Sequence, residues 1–209
     1  MAEIICVIGN KGGTGKTTLS HMLCQGLGLL GQRAACVLTD TTREPLVPAG
    51  RRYLIADART RDSLTKVVDK LRTLDDWIGV IDGGGNRTEM DRKLYALSDI
   101  VLLPFRESHE DIRTVLRDLE MFPRAYAIPT QWPTNPWQRE AADRSVSRLL
   151  GAHRHRIRCA AVHDLRRQDA PGRLVLRLRG MWEHFRLQLI QASTAERKGR
   201  RRSAAPCPY

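Results

Sequence analysis

A glycine-rich loop with two lysines holds the residues of this 209-residue sequence that are best placed to do chemistry. Residues 10–18 read NKGGTGKTT and lie between an apolar run, residues 4–8, and a helical pattern that begins near Lys16. Glycines let a backbone wrap around phosphate oxygens with its N–H groups directed inwards, and a following helix adds the positive end of its dipole. Lys16 is placed to neutralise β- and γ-phosphates, and the Thr17 hydroxyl to bind Mg²⁺. The segment is therefore predicted to bind a nucleotide.

The loop departs from the strict phosphate-loop pattern G-x-x-x-x-G-K-[ST], because Asn10 stands where that pattern has glycine and Lys11 adds a second lysine. The alternative, a glycine-rich turn with chance lysines, is disfavoured because loop, flanking elements and position agree. The segment KGGTGKTT resembles the deviant Walker A box, KGGxGK[ST], of the ParA/MinD family of ATPases. The resemblance implies ATP and Mg²⁺ as cofactors and a homodimer on ATP binding, in which Lys11 reaches the partner's phosphates. The nucleotide-binding residues it implies here are Lys11, Gly12, Gly13, Thr14, Gly15, Lys16, Thr17 and Thr18.

Short apolar runs alternate with helical patterns along most of the chain. The predicted strands are residues 4–9, 34–38, 53–56, 77–81, 100–104, 125–129 and 157–161, and the predicted helices lie near 16–30, 62–73, 87–97, 108–121, 138–150 and 179–196. This alternation indicates a doubly wound α/β fold, a mostly parallel sheet with helices on both faces. We expect one domain over residues 1–196 and a basic tail over residues 197–209. Ligands of such sheets bind at the carboxyl ends of the strands.

Two carboxylates follow predicted strands where the resemblance implies metal ligands. Asp40 matches the first aspartate of the family's D-x-D segment, but Thr42 stands in place of the second, which positions the attacking water. Hydrolysis is then slow, or Asp40 or Glu44 takes part of that role; an ordinary strand-end loop is the alternative. Asp82 ends another strand before three glycines, an arrangement like Walker B and the family's second switch, although a plain glycine turn remains open. We therefore expect catalytic Lys11, Lys16 and Asp40, a nucleotide contact from Asp82, and a metal site of Thr17, Asp40 and Asp82.

The nucleotide base is expected further along the chain. Pro104 and Asp111 fit a family segment in which an aspartate follows a post-strand proline by seven residues, and Thr130 ends the next strand. The resemblance implies nucleotide contacts near these three residues. Trp132 and Trp137 flank a Pro/Asn loop; packing against the sheet edge is favoured over covering the base or a dimer seam.

The net charge of +12 is unevenly distributed. Residues 1–121 hold 17 Lys/Arg and 17 Asp/Glu, whereas residues 122–209 hold 18 against 6. This asymmetry indicates a polyanionic partner for the C-terminal part. The predicted DNA-binding residues are Arg154, Arg156, Arg158, Arg166, Arg167, Arg200, Arg201 and Arg202.

The leading functional expectation is an ATPase similar to the small ParA partition proteins that lack an N-terminal helix-turn-helix. It would bind non-specific DNA as a dimer, and a cargo adaptor or centromere-binding protein would stimulate hydrolysis. Alternatives are positioning of a protein cargo such as a carboxysome or chemoreceptor cluster, or a conjugative-transfer accessory. A MinD-like membrane switch using Trp182, Phe185 and Leu189 is less favoured, as is a P-loop kinase or biosynthetic enzyme, for which no acceptor motif is present. Without a signal peptide, an 18-residue apolar run or metal-type cysteine spacing, we expect a cytoplasmic, nucleoid-associated protein.

Overall fold

A six-stranded parallel sheet forms the centre of the fold. The structure is a computed structural model that describes residues 2–41, 50–85 and 88–149. Its strands are β1 (Glu3–Val7), β2 (Arg33–Leu38), β3 (Leu54–Asp57), β4 (Trp77–Asp82), β5 (Ile100–Phe105) and β6 (Ala125–Pro129). Their order is β3-β2-β4-β1-β5-β6, and every neighbouring pair is parallel. The prediction of a parallel α/β sheet is confirmed.

Five helices connect or follow these strands in the described part of the chain. They are α1 (Lys16–Leu29), α2 (Arg61–Arg72), α3 (Thr88–Leu97), α4 (His109–Met121) and α5 (Pro136–Leu149). Two begin at side-chain caps: Thr60 forms a capping box with Ser63 before α2, and the Ser108 hydroxyl accepts from the backbone N–H of Asp111 at the start of α4. Each cap satisfies an N–H group that the helix itself cannot pair. The seventh predicted strand, residues 157–161, and the last predicted helix, residues 179–196, lie outside the described residues.

The sheet is covered on both faces, as its continuously apolar strands predict. Ile4 and Cys6 of β1 belong to a buried cluster that includes apolar side chains from α2, α3 and α4. Alternate residues of a strand point to opposite faces, so Val7 faces the other side, where α1 packs on β1, β2 and β4. Cys6, Cys24 and Cys36 are free and buried, in keeping with cysteines that act as small hydrophobes.

The strand order places the carboxyl end of β1 at the topological switch point. From β1 the chain crosses to β2 and β3, and then returns to β4, which pairs with β1 on one side, while β5 pairs with it on the other. Loops that leave in opposite directions open a crevice there, which is where such sheets bind ligands. Within the described ranges, no helix has the length and apolar character needed to cross a membrane.

Candidate nucleotide site

The loop between β1 and α1 has the backbone geometry of a phosphate-binding loop. Gly13 and Gly15 have φ values of 75° and 91°, in the left-handed region that glycine enters without steric cost. Gly15 is the N-cap of α1, and no side chain caps that helix. Lys16 is the first residue of α1, and its buried ammonium donates to the Lys11 carbonyl oxygen at 2.6 Å. The loop therefore surrounds the Lys16 ammonium at the N-terminus of α1, and this arrangement favours binding of an anion.

Thr130, which was predicted to lie near the nucleotide base, forms a hydrogen bond to the phosphate loop. Its hydroxyl donates to the Thr14 carbonyl oxygen at 2.6 Å, and the Phe105 carbonyl oxygen lies 3.0 Å from the same hydroxyl. A methyl group added at Gly15 would lie 3.7 Å from the Thr130 side chain. The residue that follows β6 thus supports the loop by a hydrogen bond, a role that the sequence did not predict for Thr130.

Asp82 lies at the end of β4, buried beside α1. Its Oδ1 atom is 3.3 Å from the Ser20 hydroxyl, which is itself 3.0 Å from the Lys16 carbonyl oxygen. The next residue, Gly83, donates its N–H to the Val7 carbonyl oxygen at 2.9 Å, and a Cβ there would lie 2.7 Å from that oxygen. Only glycine allows this approach, so the loop after β4 starts directly against β1. A Cβ at Gly85 would lie 3.8 Å from the Lys16 ammonium nitrogen, so the same loop returns to the phosphate loop.

Asp40 is brought to the same edge by its neighbour Thr39. The buried Thr39 hydroxyl donates to the Asp82 carbonyl oxygen at 2.7 Å, so the ends of β2 and β4 are tied together. Asp40 is partly exposed, as is Thr17 in the first turn of α1. Thr42 and Glu44 lie outside the described residues.

These residues fit Mg²⁺ in their chemistry. A hydroxyl and two carboxylates are hard oxygen donors, and Mg²⁺ in nucleotide sites uses one or two carboxylates together with phosphates and water. Asp82 Oδ1 lies 3.3 Å from the hydroxyl of Ser20, which is three residues after Thr17 on α1. No group of three His, Cys, Asp or Glu side chains that could hold a metal occurs among the described residues, so the phosphates and water would complete the coordination.

Lys11 is held within its own chain by the start of α4. Its ammonium lies 2.6 Å from Asp111 Oδ1 and 2.8 Å from Glu110 Oε2. The Asp111 side chain is 0% exposed, and its other oxygen accepts from the Arg106 guanidinium at 2.8 Å. Burial opposes ionisation of Asp111, but hydrogen bonds from Arg106, Lys11 and Ser108 outweigh it and lower its pKa to about 2. Hydrogen bonds to Asp111 and Glu110 raise the pKa of Lys11. Asp111 therefore holds the loop lysine, a partner that the sequence did not assign to it.

Asn10 is also anchored by α4, through a residue that the sequence analysis missed. Its backbone N–H donates to Asp118 Oδ2 at 3.1 Å, and its side-chain amide donates to Asp118 Oδ1 at 2.5 Å. The Thr88 hydroxyl, at the start of α3, donates to Asn10 Oδ1 at 2.7 Å. The detectable signal was an aspartate in the apolar stripe of α4: Asp118 lies between Val115 and Leu119, and all three are buried.

The structure also shows where Pro104 and the two tryptophans lie, whereas the predicted DNA-binding arginines are not described. Pro104, the last residue of its predicted strand, lies inside β5, in register with Ile128, and is buried. Trp132 packs on Phe105 with ring centroids 5.9 Å apart, as expected, but Trp137 is 81% exposed, so the expectation that it packs on the sheet edge was wrong. The predicted DNA-binding arginines, residues 154–202, lie outside the described residues.

Comparison with solved structures finds the same fold in McdA, MinD and ParA proteins. A McdA variant from Cyanothece in complex with ATP matches with a TM-score of 0.56 at 16% identity, over 75% of this chain and 81% of that one. MinD from Pyrococcus horikoshii with Mg-ADP matches with a TM-score of 0.51 at 18% identity, over 69% and 77%. The ParA of pNOB8 bound to nonspecific DNA matches with a TM-score of 0.55 at 15% identity, over 76% and 79%. No protein-family model and no curated protein sequence matches the chain. The chain has the ParA/MinD fold.

Proposed function

We propose that this chain is an ATP-dependent, dimerising ATPase that positions DNA, as in plasmid or chromosome segregation. The observation that carries the proposal is the phosphate loop with two lysines in different environments. Lys16 lies inside the loop on the Lys11 carbonyl oxygen, whereas the Lys11 side chain is directed away from the loop to Asp111. Proteins with this fold have been seen with ATP, with Mg-ADP and with nonspecific DNA, which supports all three ligands.

ATP with Mg²⁺ would supply the phosphoryl group that is transferred to water. For this chain, Lys16 would exchange the Lys11 carbonyl oxygen for phosphate oxygens, which costs little because the loop already surrounds its ammonium. Thr17, Asp40 and Asp82 would hold the metal at the edge of the sheet. Thr42 cannot remove a proton from water at neutral pH, so we propose slow hydrolysis that a cargo adaptor or centromere-binding protein stimulates.

Dimerisation would require Lys11 to leave Asp111 and Glu110 for the partner's phosphates. Both carboxylates keep other favourable surroundings, since Asp111 also pairs with Arg106 and Glu110 is largely exposed to water. An exchange of one ion pair for another is then feasible in the presence of ATP and unfavourable without it.

DNA binding is proposed for the C-terminal part, which carries the whole of the excess positive charge. A dimer would double the number of arginine–phosphate contacts, and each contact adds affinity through counterion release without reading the base sequence. The proposed location is therefore the cytoplasm, on the nucleoid.

The test compares wild type with Lys16→Ala and Lys11→Ala, using a fluorescent ATP analogue for binding and light scattering for mass. We expect Lys16→Ala to abolish binding, and Lys11→Ala to bind ATP but remain monomeric. Lys93→Ala, which removes an exposed lysine paired with Glu89 on α3, is the control and should behave as wild type. ATP-dependent dimers of Lys11→Ala would contradict the proposed role of Lys11, and a wild type that binds no ATP would overturn the function itself.

A further inference from the structure

Asn10 occupies the one position at which the loop departs from the strict phosphate-loop pattern, and its surroundings explain why. Among the described residues, only Asp76 and Gln131 are non-glycine residues with positive φ, so the backbone at position 10 does not need glycine. The side chain instead extends from the loop into a gap between α3 and α4. Its amide meets Thr88 on one side and Asp118 on the other.

The hydrogen-bond chemistry of this gap requires an amide. Asp118 is 3% exposed, and as a carboxylate it only accepts, so the Nδ2 atom of Asn10 must face it. The Oδ1 atom then faces Thr88, whose hydroxyl donates to it. An aspartate at position 10 would set two carboxylates against each other, and a glycine would leave a buried carboxylate with one donor fewer.

The three residues join three segments around the phosphate loop. Thr88 begins the helix that follows the Asp82–Gly85 loop, and Asp118 lies on α4 seven residues after Asp111, so the two aspartates share one face of that helix. Two successive loop residues are consequently held by α4, Asn10 by Asp118 and Lys11 by Asp111. Asn10 therefore contacts both α3, which follows the loop after β4, and α4.

We propose that Asn10, held by Thr88 and Asp118, is a positioning residue that couples the loop after β4 to the phosphate loop and thereby sets the preference for ATP over ADP. This rests on the proposed function, since it concerns the same nucleotide site. The γ-phosphate is the group that the loop after β4 would sense, through Gly85 beside the Lys16 ammonium. Without the hydrogen bond from Thr88, Asn10 still contacts Asp118, but the phosphate loop loses its contact with the start of α3.

The first experiment measures the affinities of wild type, Thr88→Val and Thr114→Val for Mg-ADP and for a non-hydrolysable ATP analogue by titration calorimetry. Thr88→Val should change the ADP affinity by less than about twofold and lower the preference for the ATP analogue by about fivefold, the worth of one neutral hydrogen bond. Thr114→Val is the matched control, because that hydroxyl donates to the Glu110 carbonyl oxygen within α4, and its preference should equal wild type.

The second experiment exchanges the amide and the carboxylate. Asn10→Asp should lose the preference for the ATP analogue, and Asn10→Asp combined with Asp118→Asn should regain it, because the exchanged pair again has one donor for each acceptor. A purely structural role would lower the urea midpoint of the variants while leaving the affinity ratio of Thr88→Val at the wild-type value. That unchanged ratio, or a double variant no better than Asn10→Asp, overturns the inference while the proposed function stands. Wild type that binds neither nucleotide would overturn both.

Discussion

Replacing Asp111 with asparagine should lower the free energy of unfolding, because it removes the ion pairs of this carboxylate with Lys11 and Arg106. The pKa of this carboxyl falls from 3.8 to about 2 on folding, and a shift of nearly two units corresponds to about 2.5 kcal/mol in favour of the ionised form. Lys11 and Arg106, its partners, are 22% and 35% exposed, so solvent screening reduces the expected loss in Asp111→Asn to on the order of 1–2 kcal/mol. For a chain of this size, the thermal midpoint should fall by about 2–8 °C.

The free energies of unfolding of wild type and Asp111→Asn should differ in a way that depends on pH, and this dependence tests whether the ionised carboxylate causes the difference. A carboxyl whose pKa is depressed stabilises the folded state above the unfolded pKa and ceases to do so as the pH falls through the folded pKa. The free energy of unfolding of wild type, measured in urea, should exceed that of Asp111→Asn by a constant amount above pH 5. The difference should shrink between pH 4 and pH 2, with about half of it left at pH 3. Glu140→Gln, which breaks an exposed pair with Arg144, is the control and should cost less than about 0.5 kcal/mol. A loss in Asp111→Asn no larger than in this control, or one constant down to pH 2, would refute the assignment.

Three other changes test separate parts of the site. Thr130→Val should cost about 1–3 kcal/mol in urea unfolding and weaken nucleotide binding, because the Thr14 carbonyl oxygen loses the hydroxyl that donates to it, whereas the Phe105 carbonyl oxygen keeps the backbone N–H of residue 130. Thr130→Ser should retain most of both the stability and the binding, and equal losses in the two variants would show that the methyl group matters instead. Thr42→Asp should raise the basal ATPase rate in a phosphate-release assay, and an unchanged rate would place the water elsewhere. Replacing Arg154, Arg156 and Arg158 with Glu should weaken binding to unrelated DNA duplexes and reduce the salt slope by about 0.9 for each phosphate that is no longer neutralised, without affecting ATP binding; unchanged affinity and slope would move the DNA site to other arginines.

The sheet and the phosphate loop were predictable from sequence because their signals are local. Each described strand is a short apolar run, and its predicted bounds differ from the observed ones by no more than two residues. The strand–loop–helix context of Lys16 is contained within about 25 residues, so the loop and its helix could be placed without any tertiary contact.

The supports of the loop could not be predicted in the same way, because they come from distant segments. Asn10 and Asp118 are 108 residues apart, and Thr14 and Thr130 are 116 apart. An aspartate in a helix is usually a solvated side chain, and only the packing of α4 on the sheet shows that Asp111 and Asp118 face inwards. Trp137 was misassigned for the opposite reason: its size suggested burial, but it lies in the exposed first turn of α5.

The position of β1 in the sheet also affects how the chain folds as it is synthesised. β1 is made before the other described strands, yet its only partners in the described sheet are β4 and β5, which begin at Trp77 and Ile100. At about 5–20 residues per second, translation from Val7 to Trp77 takes on the order of 4–14 s. Throughout that interval an apolar strand and its lysine-bearing loop have no neighbours in the sheet. A site that depends on the pairing of β1 with β4 can therefore form only after β4 has been made, and we expect chaperones to bind β1 and its loop during that interval.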